Sequence, residues 1–436
     1  MSEQKQTEQP AKVMNRWIIV VAAMLVQFAL GAIYSYGFLL TPMQNFIDPT
    51  KTIYDSSTRK TMGLLPFAFG LLFFAILMVP AGRWQDKKGP KIVAITGSIV
   101  LLAGILLAGV VAMFPPADGN VFGMVATFGM IGGGGIGLAY VCPIACATKW
   151  FPDKIGLING LAVAGFGAGS ILFNFLYYYI IAGINLSTGL IVSGIIMGGM
   201  ALTGAFILRN PPAGFKPAGW EPPAPKAGTA PVIENWTTQE MVKTKTFYFL
   251  WFMYIMSAIC GLMVIGNFKD YGVYGLDVSP TLGPLISSIA IYILAIAGAC
   301  NAIGRIFWGK LSDKIGRVKT MGIMFTVQAA AMMFFAIPTI ITWAIFGNLV
   351  YFCFGGNLSL FPATTRQYYG PKNMGLNYGV VFSAYGVAGI LGALLAGPLI
   401  SLMNNQYTGY FIIFGCMSLG SMAISLITKA PVRKQA

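Results

Sequence analysis

Apolar and polar positions alternate along this chain on the scale of whole segments. Runs of about 20 mostly apolar residues, each enough for a hydrocarbon layer about 30 Å thick at 1.5 Å of rise per residue, fall at 16–40, 61–81, 91–113, 121–147, 157–182 and 187–208. After a gap, six more follow at 246–266, 284–308, 320–340, 342–364, 376–400 and 408–428. The pattern predicts an all-α membrane protein of twelve transmembrane helices, divided into an N-terminal six-helix half (16–208) and a C-terminal one (246–428). The gap at 209–245 includes "PPAGFKPAGWEPPAPKAGTAP", whose seven prolines prevent a continuous helix, so it is read as a linker. Polar tails are expected at 1–15 and 429–436. The first tail lacks a short apolar core with a small-residue cleavage site, so it reads as a retained tail and not as a signal peptide.

The two halves repeat each other. "GRWQDKKGPK" (82–91) follows the second run and "GKLSDKIGRVK" (309–319) the eighth, and both fit G-x-x-x-D-K-x-G. "PDKIGLINGLAVAGFGAG" (152–169) is echoed by "PKNMGLNYGVVFSAYGVAG" (371–389). Two echoes at matching places imply an internal duplication, the scaffold on which a central site can face one side of a membrane and then the other.

Charge orients the chain. With the N-terminus inside, the inner segments hold most of the basic residues, and only Lys51, Arg59, Lys60 and Lys269 fall outside. The positive-inside rule then puts both termini in the cytoplasm of a cell-membrane protein. The net charge of +15 has the same origin: cytoplasmic loops face anionic lipid, and no polar domain exists on which a nucleic-acid surface could be built.

Composition narrows the chemistry. Of the residues 56% are hydrophobic and only 9% charged, with a mean hydropathy of +0.73, far from soluble domains. Histidine is absent and the six cysteines all lie in apolar runs, so neither a metal site nor the usual general base is provided. An enzyme is not expected, no cofactor is called for, and a membrane sensor would need a signalling domain that is not visible. Glycine clusters at 129–140, 160–170 and 386–397 suit close helix packing in lipid. The run at 132–135 lacks the following G-K-[ST] of a phosphate loop.

One charge stands out. Arg305 lies within the eighth run, where an arginine at a helix centre costs about 2.5 to 3.5 kcal/mol on insertion scales. All thirteen acids fall in tails, loops or span ends, and every other basic residue is assigned to a loop or tail. An unpaired buried cation persists where a mobile anion supplies the missing charge. The competing reading is snorkelling: Asp313 is eight residues on, about 12 Å along a helix, so a long side chain has a route toward the cytoplasmic water. Asn301 is one turn earlier on the same face and is read as sharing the anion or holding the guanidinium. The repeat offset pairs Arg305 with Met78, so the scaffold is symmetric and the charge is not.

The G-x-x-x-D-K-x-G turns resemble the signature loop of the major facilitator superfamily, where it acts as a conformational latch. The resemblance assigns gating to Asp86 and Asp313, with Arg83 and Arg317 beside them. "KWFPDKIGLINGLAVAGFGAG" (149–169), "YSYG" (34–37), "GRIFWGKLSDKIGRVKTM" (304–321), "SLFPATT" (359–365) and "NYGVVFSAYGVAGI" (377–390) resemble the oxalate:formate antiporter family of that superfamily, a neighbour of the monocarboxylate transporters. The resemblance implies an organic-anion carrier in which Arg305 binds the substrate carboxylate and aromatic residues, Tyr34, Tyr36 and Phe354 among them, wall the cavity. It also shows a departure. Where the oxalate carrier has a lysine in span 11 this chain has Tyr385, and Phe354 falls where that carrier has tryptophan. With one buried cation in place of two, a dianion keeps about one uncompensated charge at a cost of several kcal/mol, so a monocarboxylate such as lactate, pyruvate, formate or acetate fits better than oxalate. The expected partners are a small carboxylate anion, with or without a proton, and the lipid bilayer, the carrier being a monomer. Tyr140, Asn174 and Asn357 are weaker candidates, as polar residues inside spans.

Overall fold

The computed structural model describes residues 14–115, 120–212, 215–217, 235–276, 282–403 and 406–432. Most of both tails and most of the linker lie outside these residues. Among the described residues, twelve helices are long and apolar enough to cross a membrane: α1 (Arg16–Ile47), α2 (Ser56–Lys88), α3 (Pro90–Val111), α4 (Asn120–Trp150), α5 (Ile155–Gly183) and α6 (Leu186–Ile207), then α7 (Lys245–Gly275), α8 (Gly283–Ile315), α9 (Arg317–Phe335), α10 (Ile340–Tyr369), α11 (Met374–Leu402) and α12 (Tyr407–Ile427). Several overrun the apolar run that predicts them. Hydropathy marks the length that needs lipid or protein cover, whereas a helix continues through polar residues until a cap stops it.

Those caps are local and readable. Asn15, Asp55, Asn185, Thr244 and Thr339 accept backbone N–H bonds at the starts of α1, α2, α6, α7 and α10. At the other ends, Gly89, Gly316 and Gly370 adopt φ of 83°, 94° and 81°, a region costly for residues with a Cβ. Gly89 and Gly316 are the final glycines of the two G-x-x-x-D-K-x-G turns, and α3 and α9 begin at the very next residues. The motif is therefore a helix stop and restart, built identically in both halves.

Packing within each half relies on backbone approach. A Cβ on Gly133 of α4 would lie 2.2 Å from the Gly70 carbonyl oxygen of α2, and in the second half a Cβ on Gly304 of α8 would lie 2.0 Å from the Phe352 carbonyl oxygen of α10. Gly355 answers Gly304 across that crossing, 2.2 Å from the Asn301 carbonyl oxygen by the same construction. Gly304→Ala must push α8 and α10 apart and is expected to cost about 1 to 3 kcal/mol, seen as a lower thermal midpoint in detergent. Gly199→Ala, at an exposed position with nothing within 4 Å, is the matched control and should leave the midpoint unchanged.

The halves meet along α2 with α11 and α5 with α8. On the tail face, where the chain enters at Asn15 and leaves at Thr428, a Cβ on Gly82 of α2 would come 3.6 Å from Gly375 of α11. On the opposite, far face, Gly397 of α11 crosses Ser57 of α2 with a Cβ-to-carbonyl distance of 2.1 Å. In the middle, Gly167 of α5 stands 2.6 Å by the same measure from the Asn301 side-chain oxygen of α8. The α2–α11 line is thus shut near both faces, and the centre between the halves, where Tyr34, Arg305 and Tyr385 are all buried, is occluded.

Candidate functional site

Arg305 points into the closed seam and is 1% exposed. On the buried side of α8, Asn301 precedes it by one turn and accepts from Nε at 3.0 Å, while Nη1 donates to the Val163 carbonyl of α5 at 2.8 Å. Asn301 is itself fixed, donating to the Tyr351 carbonyl of α10 at 3.1 Å. The guanidinium lies 5.3 Å from the Phe166 ring centroid. Nη2 makes no hydrogen bond, and among the described residues no carboxylate lies within 4 Å of the group. The side chain does not extend toward the tail face. Its stem is housed by Gly355, where a Cβ would sit 3.3 Å from the Arg305 Cγ.

Aromatic residues from five helices surround this cation. A tighter 3₁₀ stretch of α1, Gly31–Ser35, carries Tyr34, whose hydroxyl shares a 2.8 Å hydrogen bond with Tyr385 of α11 across the seam. The Tyr34 ring meets Phe166 at 5.1 Å and Phe354 of α10 at 5.7 Å, and Phe354 stacks on Tyr385 at 6.2 Å. The hydroxyls of Tyr34 and Tyr140 face the guanidinium as weak acceptors, neither completing a hydrogen bond of good geometry to Nη2. Tyr36 is not part of this group: its hydroxyl donates to the Gly63 carbonyl of α2 at 2.5 Å and its ring stacks on Phe67, inside the first half.

The structure adds three tyrosines that sequence reasoning passed over. Tyr254 of α7, Tyr351 of α10 and Tyr378 of α11 are buried, the hydroxyls of Tyr254 and Tyr378 facing each other and that of Tyr351 without a partner, and the Tyr254 ring lies 6.2 Å from that of Tyr385. Buried hydroxyls without partners are uncommon in native proteins. The one signal available earlier was that each lies inside a span; which face it occupies is a tertiary fact. Asn357 is spent on structure, exchanging bonds with Ser257, but Asn174 of α5 is 1% exposed with both amide atoms unpaired.

The proposed gating residues sit on the tail face. Asp313 pairs with Arg317 at 2.5 Å across the α8–α9 turn, and Arg317 also donates to Ser312. Arg83 and Asp86 are exposed at the end of α2, Asp86 facing Gly375 of α11.

On the far face, Arg59 and Lys269 lie in the ends of α2 and α7 and not in loops, and two further assignments need correction. Lys60 is not in a loop: it lies in the second turn of α2, 8% exposed, donating to the Tyr407 hydroxyl of α12. Asp270 is inside α7, 5% exposed, and accepts from the Thr41 hydroxyl of α1 at 2.8 Å. Both appear terminal in the linear sequence, but neighbouring helices overlap their ends and cover them. Together they form polar ties between the halves, Thr41 and Lys60 from the first, Asp270 and Tyr407 from the second.

Twelve membrane-length helices in two related sets of six, closed over a buried cluster that takes residues from both sets, define a secondary-transporter architecture. The profile of the Major Facilitator Superfamily matches residues 14–301 and 287–436, and the chain belongs to that family. It is a membrane transporter and not an enzyme. Among curated proteins it is 27% identical over 423 residues to the oxalate:formate antiporter of Oxalobacter formigenes, covering 94% of this chain and 91% of that one. It is 26% identical over 451 residues to apicoplast pyruvate carrier 1 of Toxoplasma gondii, covering 85% and 81%. Among solved structures, the partially occluded inward-open xylose transporter XylE of E. coli superposes with a TM-score of 0.69 at 13% identity, covering 94% of this chain and 99% of the other, which speaks to the fold alone.

Proposed function

We propose that this protein carries small organic anions, with a monocarboxylate such as lactate, pyruvate, formate or acetate as cargo. The observation that carries the proposal is the Arg305 guanidinium, buried between the halves with Nη2 unpaired and no carboxylate within 4 Å among the described residues. A carboxylate arriving there forms charge-assisted bonds to the free edge of the fork and accepts from tyrosine hydroxyls, Tyr34 and Tyr385 first. Neutralising the cation favours the occluded state, which links binding to the exchange of open faces. Asp86, Asp313, Arg83 and Arg317 gate the tail face, which the distribution of lysine and arginine assigns to the cytoplasm of a cell membrane. The names of the two relatives, an oxalate:formate antiporter and a pyruvate carrier, agree with an anionic cargo.

The oxalate relative favours a second reading, dicarboxylate exchange. The charge count opposes it, because Tyr385 contributes a hydroxyl where a second cation is wanted. The test is uptake into proteoliposomes of labelled formate, acetate, lactate, pyruvate and oxalate, with and without a pH gradient and with and without internal anion. Saturable uptake of a monocarboxylate, with oxalate at least tenfold poorer in rate over half-saturation, about 1.4 kcal/mol of discrimination, is the expected result. Stimulation by a pH gradient identifies proton symport; dependence on internal anion identifies exchange. Transport of oxalate above every monocarboxylate would replace the first reading with the second.

A further inference from the structure

A cavity of about 520 Å³ opens on the far face between the ends of α1, α5 and α6, with Lys269 of α7 and Ser287 of α8 at its edge. Its size is in the range of small-molecule sites. Phe38 and Asn45 of α1, Tyr178 of α5, Asn185 before α6, Lys269 of α7 and Ser287 of α8 are on its wall. Lys269 is half-buried, its ammonium 5.1 Å from the Phe38 ring centroid. Among the described residues at this corner, two lysines, Lys60 and Lys269, share the charge of one acid, Asp270. Asp48 pairs with Arg59 at 3.8 Å, and Asp270, beside Lys269 in sequence, also accepts from the Thr41 hydroxyl.

One face of α5 joins this cavity to the centre. Val163, Gly167, Ser170, Asn174 and Tyr178 recur at three- or four-residue spacing, hence on one side of the helix. The Val163 carbonyl takes a bond from Arg305, Gly167 faces Asn301, and the Ser170 carbonyl accepts from Ser35 of α1 at 3.1 Å. Farther out, Tyr178 lines the cavity and its ring lies 6.0 Å from that of Phe38. Between them is Asn174, buried with both amide atoms unpaired. On the reading of the protein as a carboxylate carrier, we propose that the cavity is a loading site for the anion on the far face, with Lys269 as its cation and Asn174 as the next hydrogen-bonding group on the way to Arg305. A single flexible ammonium, partly hydrated, suits a site that must release its occupant inward.

The test uses full-length protein in proteoliposomes and two kinds of probe. For the monocarboxylate that the wild type transports best among formate, acetate, lactate and pyruvate, Lys269→Gln should raise the external half-saturation concentration about fivefold, as for a partly screened charge, at unchanged maximal rate; Lys269→Arg should restore it. Asn174→Leu should also raise it. In a Ser287→Cys variant, a thiol reagent bearing a sulfonate should react faster than a neutral reagent of similar size, relative to free thiol in solution, and this preference should vanish with Lys269→Gln or in high salt. Carboxylate transport with no sulfonate preference and an unchanged half-saturation overturns the loading site alone. A sulfonate preference in a protein that transports none of the carboxylates leaves an anion-attracting cavity and sinks the carrier reading. A lowered maximal rate at constant half-saturation assigns Lys269 to the conformational change and overturns the proposal.

Discussion

Arg305→Lys is expected to cut carboxylate transport by about a hundredfold while the protein still folds, inserts and elutes as wild type. Lysine keeps the charge and most of the apolar stem. It loses the planar fork that lets Nε and Nη1 hold Asn301 and the Val163 carbonyl while Nη2 remains unpaired, open to the proposed cargo. Each charge-assisted bond lost or misplaced is worth about 1.5 to 3 kcal/mol, and two tenfold steps follow from about 2.8 kcal/mol. A rate within twofold of wild type in the lysine variant removes the guanidinium from the binding site.

Arg305→Met sharpens the test by sign. A cation held in place by a buried counter-charge is costly to delete, about 3 to 5 kcal/mol, because the partner is left alone. Here no carboxylate within 4 Å is orphaned among the described residues, so deletion removes an uncompensated charge and leaves neutral acceptors. The thermal midpoint in detergent should stay level or rise while uptake disappears. A midpoint that falls steeply would mark the arginine as a structural strut between α8 and α5, and the absence of uptake would then say nothing about cargo.

How much of this was legible beforehand differs by the physics involved. The twelve spans were, because burying about 20 residues in hydrocarbon leaves a linear signature. So was the repeated turn, whose last glycines take positive φ at Gly89 and Gly316. Arg305 was legible by elimination, being a charge in the middle of a span. Tyr254, Tyr351 and Tyr378 were not: the chain has 19 tyrosines, and a helix that touches protein on several sides has no polar stripe to say which of them face the centre. Tyr36 illustrates the same limit, since two residues along α1 from Tyr34 turns the side chain into the first half. Lys60 and Asp270 failed for another reason. Hydropathy judges a residue by its sequence neighbours, whereas their burial comes from α12 and α1 closing over the ends of α2 and α7.

Tyr385→Lys should reverse the cargo preference from monoanion to dianion. The Tyr385 hydroxyl is 2.8 Å from that of Tyr34, and both side chains feel the Arg305 charge. An ammonium there stands opposite the guanidinium with no acid to answer it. Two unit charges about 6 Å apart at an effective dielectric of about 20 repel by about 3 kcal/mol, so the empty variant should melt earlier than wild type. Oxalate, carrying two charges, relieves that repulsion, and because it binds only the folded state it must raise the midpoint by mass action. Thermal shift is therefore the decisive readout: oxalate should stabilise Tyr385→Lys and leave wild type unmoved, while formate or lactate stabilises the variant less than wild type. Tyr385→Phe separates charge from lost hydrogen bonding, since it breaks the tie to Tyr34 without adding a cation and should weaken monocarboxylate uptake with no gain for oxalate. If the lysine variant melts early and no dianion rescues it, position 385 does not share an anion with Arg305, and the monocarboxylate preference must be sought in the shape of the cluster and not in its charge.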